Sequence, residues 1–189
     1  MNNKKRCEWC GDDELYQQYH DNEWGKPLND EQRLFEMLIL EGVQAGLSWI
    51  TVLKKREHYR KVFYNFDVQA VSEMTDEKLE ALLLDPGIIR NRLKVYGARK
   101  NAKAFIAVQE EFGSFNNYIW EFVDNKPIVN SFKTLKEIPA QTELSSIISK
   151  DLKKRGFTFI GSTIVYAYMQ AIGMVNDHVI DCYCYSDLK

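Results

Sequence analysis

Two cysteines and two histidines near opposite ends of the chain have the residue types and spacing of a metal site. His178 and Cys182 are four positions apart, so both side chains reach one ion if their segment is helical. Cys7 and His20 lie at the other terminus. Two thiolates and two imidazoles suit tetrahedral Zn(II) and leave no open coordination position. The pattern predicts a structural zinc ion that joins the two termini.

Two alternatives to this ligand set remain open from spacing alone. The four residues can be unconnected, with the cysteines as buried thiols. Cys10 and Cys184 also compete as ligands, and together with Cys7 and Cys182 they would form an all-thiolate site. Asp177, next to His178, is a candidate acceptor for an imidazole N–H, although an Asp in a turn is the commoner interpretation.

Aromatic residues cluster in the same N-terminal segment. Trp9, Tyr19 and Trp24 lie among acidic and amide side chains rather than in an apolar run, and Trp49 follows the first predicted helix. A tryptophan usually belongs to the hydrophobic core. The polar surroundings instead predict that these rings line a pocket.

Glu41 interrupts an apolar segment that runs from position 38 to 47. A carboxylate there is costly to bury as an anion unless a cation or good hydrogen-bond donors meet it. Gly42 and Gly46 indicate a bend or a close backbone approach. A solvent-facing Glu at a helix end is the alternative.

A basic segment, Lys153 to Arg155, precedes Gly156 and Gly161 and then an apolar helix that begins near Ser162. A helix, a short hairpin and a second helix with free N-terminal amides can hold a phosphate without reading base sequence. DNA backbone is the natural ligand for such an arrangement. An ordinary turn between two helices is the alternative.

Helical periodicity dominates the elements that must position these groups. Apolar spacing and capping residues predict a helix that begins after position 30 and others over 51–64, 75–84, 88–112 (or 90–112), 115–123, 143–155 and 162–172. The sequence Asp85-Pro86-Gly87 predicts a turn. Alternation over a strand length is almost absent, so the predicted fold class is all-α.

Composition sets the outer limits. A chain of 189 residues with 45% hydrophobic and 13% aromatic residues can bury one sizeable core and is not disordered. The net charge of −2 neither requires nor excludes nucleic acid, so any such partner must meet a local basic face. We find no secretory signal and no apolar run of about 18 residues. The prediction is a cytoplasmic protein that does not use a membrane.

Four segments taken together resemble a known family. They are Cys7 to Trp9, Tyr19-His20-Asp21-Asn22-Glu23-Trp24-Gly25, Glu41 to Trp49 (Glu-Gly-x-Gln-Ala-Gly-Leu-Ser-Trp) and Asn176-Asp177-His178 with Cys182. They closely resemble the Tag-type 3-methyladenine DNA glycosylases of the helix-hairpin-helix DNA repair superfamily. The match spans nearly the whole chain.

The resemblance implies one glycosylase domain over residues 1–189, with a structural zinc on Cys7, His20, His178 and Cys182. It favours these four ligands over Cys10 and Cys184. It also implies that the 156–163 hairpin grips the phosphate backbone, and that Leu47 with Gly46 fills the gap left in the duplex. The expected DNA-contacting residues are therefore Gly46, Leu47, Gly161, Ser162 and Thr163.

The implied reaction is excision of 3-methyladenine from double-stranded DNA by a monomeric protein. The flipped base is expected to stack among Trp9, Trp24 and Trp49 and to meet Tyr19 at its edge, while the Glu41 carboxylate complements its positive charge. Hydrolysis of the N-glycosidic bond releases the free base and leaves an abasic site without strand cleavage. Tag-type enzymes are understood to lack the catalytic Asp of the wider superfamily, so no catalysis is assigned to Asp177.

Two rival functions share some of these features. A non-enzymatic DNA-binding module would use the hairpin and the basic helices but release no base. A metallohydrolase would place Cys7, His20 and His178 around a zinc-bound water. A fourth protein ligand from Cys182 argues against the second rival.

Overall fold

Helices dominate the computed structural model, which describes residues 4–186. Within that range the helices are α1 (Glu14–Asn22), α2 (Glu31–Gln44), α3 (Trp49–Leu53), α4 (Arg56–Val62), α5 (Val68–Ser72), α6 (Asp76–Leu82), α7 (Arg92–Phe112), α8 (Phe115–Glu121), α9 (Glu143–Lys154), α10 (Ser162–Ala171) and α11 (Tyr183–Ser186). Short 3-10 turns occupy Glu8–Cys10, Tyr64–Phe66 and Leu135–Glu137. The helical prediction is confirmed.

Local capping explains where several helices begin. The Asp30 side chain accepts a hydrogen bond from the Arg33 amide at 2.9 Å, and Thr75 accepts one from the Lys78 amide at 3.3 Å. Thr142 and Ser145 form a reciprocal capping box at the start of α9. These side chains satisfy amides that have no partner inside the helix, which is why the predicted starts agree with the structure.

The structure differs from the predicted elements at several places. The helix predicted over 51–64 is two helices, α3 and α4, separated at Lys54 and Lys55. The sequence analysis predicted none of α1, α5 and α11. The α1 segment is polar on most faces, and its start depends on the Asp13 side chain, which accepts from the Tyr16 amide at 3.2 Å.

One two-residue parallel ladder pairs β1 (Ile128–Val129) with β2 (Val175–Asn176), with Ile128 opposite Val175. The Tyr183 amide donates to the Lys5 carbonyl at 2.9 Å. These contacts bring the segment after α10 and the N-terminal segment to the same side of the molecule. Among the described residues, no helix combines the length and apolar character needed to cross a bilayer.

Helix α2 runs through the centre of the core and packs against α3, α7, α8 and α10. The Phe35 and Phe105 rings meet edge-on at 5.2 Å, and Phe105 stacks on Phe115 at 4.1 Å. The Tyr168 hydroxyl donates to the Leu34 carbonyl at 3.1 Å. Every residue of α2 from 34 to 43 is buried, so Glu41 is carried on a rigid and enclosed element.

A buried ion-pair network joins α1, α2 and α4. Arg56 is 4% exposed and donates to Glu36 at 2.7 Å and to both oxygens of Glu23 at 2.8 and 2.9 Å. Arg60 donates to the same Glu36 oxygen at 2.7 Å. Removing one partner from such a network leaves a buried charge unpaired, which is strongly destabilising. The network therefore fixes the position of α1 beside α2.

The connection between α9 and α10 packs against the centre of the molecule. Gly156 has φ +95° and Phe159 has φ +56°. A Cβ added at Gly42 of α2 would lie 3.1 Å from the Phe159 Cβ, and one at Gly97 of α7 would lie 3.2 Å from its ring. Asn101 Oδ1 accepts the Thr158 amide at 2.8 Å. The absence of side chains at Gly42 and Gly97 thus lets Phe159 pack closely, and the Asn101 side chain fixes the connection by a hydrogen bond.

Candidate active site

A cavity of about 430 Å³ opens between α1, α2, α10 and the segment 135–140. Its volume lies in the range of roughly 300–1,000 Å³ typical of small-molecule sites. The lining includes all five residues predicted for base binding and catalysis: Trp9, Tyr19, Trp24, Glu41 and Trp49. Residues separated by up to forty positions in sequence therefore meet around one space.

The aromatic rings form a connected group on one side of the cavity. Trp9 lies 4.9 Å from Trp24 in an edge-on arrangement, and the Tyr19 and Trp49 ring centroids are 5.3 Å apart. Trp9 Nε1, Tyr19 Oη and Trp49 Nε1 are buried and have no hydrogen-bond partner in the described structure. Buried polar atoms are seldom left unpaired, so these three groups are available to a ligand.

Glu41 contributes the only acidic side chain of the lining within residues 4–186. It is 4% exposed, and its carboxyl forms no hydrogen bond to a described residue. Burial raises the pKa of Glu41 to about 8, because water no longer stabilises the anion and nothing replaces it. The cavity therefore favours a ligand that brings positive charge to this carboxyl.

The loop that follows α2 is tied to its surroundings at several points. Lys94 Nζ donates to the carbonyls of Val43 and Ala45, each at 2.7 Å. Gln44 Nε2 donates to the Leu47 carbonyl at 3.0 Å. Gly46 is exposed with φ +81°, and Leu47 is half-buried. The two residues predicted to enter DNA thus stand on a short, fixed loop beside the cavity.

The residues predicted to bind DNA through the hairpin, Gly161, Ser162 and Thr163, lie at the start of α10. Gly161 is the N-cap of α10, and no side chain caps the free amides there. The Ser162 hydroxyl contacts Gln141 Oε1. Thr163 lines the cavity itself. The hairpin is therefore continuous with the pocket wall.

Ligand atoms for a metal ion converge where the termini meet. One nitrogen each from His20 and His178 and the sulfurs of Cys182 and Cys184 all lie within 4.8 Å of one another, and all four residues are buried. His178 Nε2 has no hydrogen-bond partner in the part of the chain that the structure describes. The segment from His178 to Cys182 is a turn and not a helix, and the turn still brings the two side chains together.

The second nitrogen of each imidazole faces an oxygen. His20 Nδ1 lies 2.9 Å from Asp21 Oδ1, and His178 Nδ1 lies 2.9 Å from Asn176 Oδ1. A carbonyl or carboxylate oxygen at this position holds the proton on Nδ1 and leaves Nε2 free to bind a metal. The chemistry of the cluster therefore fits Zn(II).

Cys7 and Cys10 are both buried in this region. A hydrogen bond from the Cys182 thiol holds the pKa of Cys7 below its usual value. Cys7 is not one of the four tightly converging ligands. The Cys10 thiol donates to the Cys7 carbonyl at 3.1 Å.

Comparison with known proteins decides the family. The sequence profile of the methyladenine glycosylase family matches residues 9–185. The chain belongs to the methyladenine glycosylase family. It is 52% identical over 185 residues to DNA-3-methyladenine glycosylase 1 of Escherichia coli strain K12, covering 98% of this chain and 99% of that relative.

Solved structures of methyladenine glycosylases share the fold. A crystal structure of 3-methyladenine DNA glycosylase I matches with a TM-score of 0.93 at 50% identity, over 95% of this chain and 99% of that one. A variant of 3-methyladenine DNA glycosylase I in complex with 3-methyladenine matches with a TM-score of 0.92 at 34% identity, over 94% and 96% of the two chains.

The methyladenine glycosylase cavity also includes residues that the sequence analysis did not select. They are Tyr16, Gln44, Leu135, Ile138, Pro139, Ala140, Tyr166, Ala167 and Gln170. Tyr16 shares a helix face with Tyr19, three positions on, so the spacing within α1 could have indicated it. Thr163, Tyr166, Ala167 and Gln170 likewise form one face of α10. The 135–140 segment carries no comparable signal.

The alternative in which Asp177 accepts from an imidazole, which the sequence analysis ranked below an Asp in a turn, does not hold for His178. Asn176 accepts from His178 instead. The Asp177 carboxylate accepts from Asn130, Tyr166 and Gln170, because the backbone between β2 and His178 turns its side chain toward α10.

Proposed function

We propose that this chain flips a 3-methyladenine nucleotide out of double-stranded DNA and hydrolyses its N-glycosidic bond. The products are free 3-methyladenine and an abasic site, and the strand stays intact. The observation that carries the proposal is the Glu41 carboxyl, which is buried without a partner among residues 4–186 and shares a cavity of purine size with several aromatic rings. The 3-methyladenine bound by a structural relative supports the same ligand.

Selectivity follows from charge. Methylation at N3 gives adenine a positive charge, and the indole rings of Trp9, Trp24 and Trp49 can attract it through cation–π contacts worth about 1–2 kcal/mol each when desolvated. Glu41 supplies the opposite charge and can accept from the exocyclic amino group, while Tyr19 offers its unpaired hydroxyl. Neutral adenine would leave the Glu41 anion unpaired, which costs at least ~1–3 kcal/mol.

The same groups act on the reaction. The positive charge already makes the base a good leaving group, so little acid catalysis is required. As the glycosidic bond breaks, positive charge develops on the sugar, and a fixed anion nearby stabilises it. Water then attacks the sugar. The described lining contains no lysine that could act as an amine nucleophile, which accords with hydrolysis alone.

DNA is held by two elements beside the cavity. The uncapped N-terminus of α10 at Gly161, together with Ser162 and Thr163, is proposed to bind backbone phosphate in a helix-hairpin-helix arrangement. Leu47, presented by the turn at Gly46, is proposed to occupy the space that the flipped nucleotide leaves. Extrusion costs a few kcal/mol, less where damage has weakened pairing.

The cluster at the termini is proposed to hold one structural zinc ion. His20, His178 and Cys182 supply three ligands, and the family resemblance assigns the fourth to Cys7. With four protein ligands the ion has no open position, so its contribution is to hold residues 7–20 against the C-terminal segment. That contact keeps Trp9 and Tyr19 at the cavity. The chain, residues 1–189, is proposed to act as one monomeric domain.

The test is release of 3-methyladenine from methylated duplex DNA, followed by chromatography of the free bases. Wild-type protein should release 3-methyladenine. Glu41→Gln should keep the fold but release the base at least roughly tenfold more slowly. Glu121→Gln, an exposed substitution at the end of α8, is the matched control and should equal wild type. A wild-type protein that binds the duplex and releases nothing would instead be a DNA-binding module.

A further inference from the structure

A fully buried carboxylate, Asp177, stands directly behind one wall of the cavity. Its Oδ2 atom accepts from the Tyr166 hydroxyl at 2.6 Å and from Gln170 Nε2 at 2.8 Å, and Oδ1 accepts from Asn130 Nδ2 at 2.7 Å. Asp177 is 0% exposed. None of the salt bridges formed among residues 4–186 involves it. Three neutral donors from two elements therefore satisfy this anion.

Two of those donors are also cavity residues. Tyr166 and Gln170 lie four positions apart on α10, and both line the cavity. Asn130 does not line it. Asp177 is thus connected to the site through the α10 wall, while its contact with Asn130 joins it to the end of β1.

A carboxylate accepts hydrogen bonds and donates none, so it dictates how both wall residues are oriented. The Tyr166 proton and the Gln170 amide nitrogen are directed to Asp177. The Gln170 carbonyl oxygen is turned away from the carboxylate, and the Tyr166 oxygen keeps its lone pairs. Because both residues line the cavity, the polar atoms that they have left for a ligand there are mainly acceptors.

We propose that Asp177 is a positioning residue for base excision, which keeps the α10 wall in an acceptor-only state through Tyr166 and Gln170. This inference rests on the proposed function. Acceptor atoms on α10 and the Glu41 carboxyl on α2 then face the substrate from two sides. Both favour a cationic base and the positive charge that develops on the sugar, and both disfavour a neutral purine.

Asp177→Asn tests the proposal with little change in volume. An Asn side chain can donate from Nδ2, so Gln170 is free to reverse its amide and present N–H groups to the cavity. In single-turnover and steady-state assays on methylated duplex DNA, kcat should fall roughly tenfold. KM should change less than about twofold, because phosphate contacts dominate DNA affinity.

A double-mutant cycle shows whether Asp177 acts through the wall. Gln170→Leu leaves Asp177 with its Tyr166 and Asn130 donors and should by itself lower kcat, because it removes one acceptor. Adding Asp177→Asn to Gln170→Leu should lower kcat by a clearly smaller factor than Asp177→Asn does in the wild-type background. The reason is that one of the two residues through which Asp177 acts is already absent. An equal loss in both backgrounds, or an unchanged kcat in Gln170→Leu, overturns the proposal. Gln170→Leu also serves if Asp177→Asn fails to fold.

Asn130→Ala is the matched control, because it removes a hydrogen bond to Asp177 without touching the wall. It should lower the melting temperature and leave kcat within about twofold of wild type. Zinc content is measured for every variant, since Asp177 precedes His178. Loss of zinc from Asp177→Asn, with kcat restored by added zinc, would overturn the proposal. If wild-type protein releases no base, the proposed function fails. If wild-type protein releases the base and Asp177→Asn has the same kcat, the proposed function stands and only the role of Asp177 fails.

Discussion

The Nε2 atom of His20 lies 3.4 Å from the Sγ atom of Cys182, although the two residues are 162 positions apart in the sequence. His20 belongs to α1, the helix that also carries Tyr16 and Tyr19 to the cavity wall. The contact therefore connects the C-terminal segment to the substrate pocket through a single short helix. A zinc ion bound at this contact would therefore stabilise the fold and also fix the position of the α1 residues that line the pocket.

We expect that removing the proposed zinc will loosen the pocket. Dialysis of wild-type protein against a chelator should remove one zinc ion per chain and lower the melting temperature, because metal binding free energy contributes to folding. Base release should be lost together with stability, and the near-ultraviolet circular dichroism of the tryptophans should change. If activity disappears while the melting temperature stays constant, the ion is catalytic rather than structural.

Variants of the cysteines identify the fourth ligand. Cys7→Ser should reduce zinc content and melting temperature as much as Cys182→Ser does, while Cys10→Ser and Cys184→Ser should keep the ion. Cys184 is the critical comparison because its sulfur converges with the other ligand atoms. Retention of zinc in Cys7→Ser and its loss in Cys184→Ser would transfer the fourth position to Cys184.

The sequence was sufficient to predict the helical fold and six of the fifteen residues that line the cavity. Helix starts with side-chain caps, such as Asp30, are local signals and agree with the structure. The rings of Trp9 and Trp24 were recognisable because of their polar neighbours. The α10 wall was not, because Tyr166 and Gln170 lie in an apolar helix whose outward and inward faces depend on tertiary packing. The partners of Asp177 likewise come from distant elements that no local pattern specifies.

The pH dependence of excision should follow Glu41. In the free protein its pKa is raised to about 8, so the anion that complements a cationic base becomes the major form only above that pH. We expect kcat/KM, which reports ionisation of the free enzyme, to rise by up to about tenfold per pH unit below pH 8 and then level off. Assays of wild type and Glu41→Gln from pH 6 to pH 9 check this.

Glu41→Gln should remove that rise, leaving a flat and lower profile. Glu121→Gln should retain the wild-type profile. If wild-type kcat/KM is constant across the range, ionisation of Glu41 does not control the reaction, and its proposed electrostatic role is wrong.

Glu41 should also lower the stability of the protein at neutral and alkaline pH. Its pKa rises from an ordinary value of 4.5 to about 8 on folding, so the folded state holds a proton that the unfolded state releases between those values. Stability from this group is complete below pH 4.5 and declines as pH rises to 8, by at most about 1.4 kcal/mol per pH unit. Glu41→Gln removes this decline.

The expected result is a Glu41→Gln melting temperature close to wild type at pH 4.5 and higher by roughly 5 °C or more at pH 8, since each kcal/mol shifts a chain of this size by about 2–4 °C. Thermal melts at several pH values measure it. An equal or lower melting temperature for the variant at pH 8 would show that the carboxyl is well solvated or paired in the folded protein.

Leu47 should matter only when a base must leave a duplex. Its loop is fixed by Lys94 and Gln44, so Leu47→Ala shortens the side chain without releasing the backbone. We expect the variant to excise 3-methyladenine from duplex DNA roughly tenfold more slowly, because the gap left by the flipped nucleotide is no longer filled and the few kcal/mol of unstacking are less well offset. Excision from a single-stranded oligonucleotide and affinity for free 3-methyladenine should be unchanged, since neither requires the gap to be filled. Ile147→Ala, at an exposed position of α9, is the matched control and should equal wild type on both substrates. An equal loss of excision rate on single- and double-stranded DNA would show that Leu47 stabilises the pocket and does not fill the gap in the duplex.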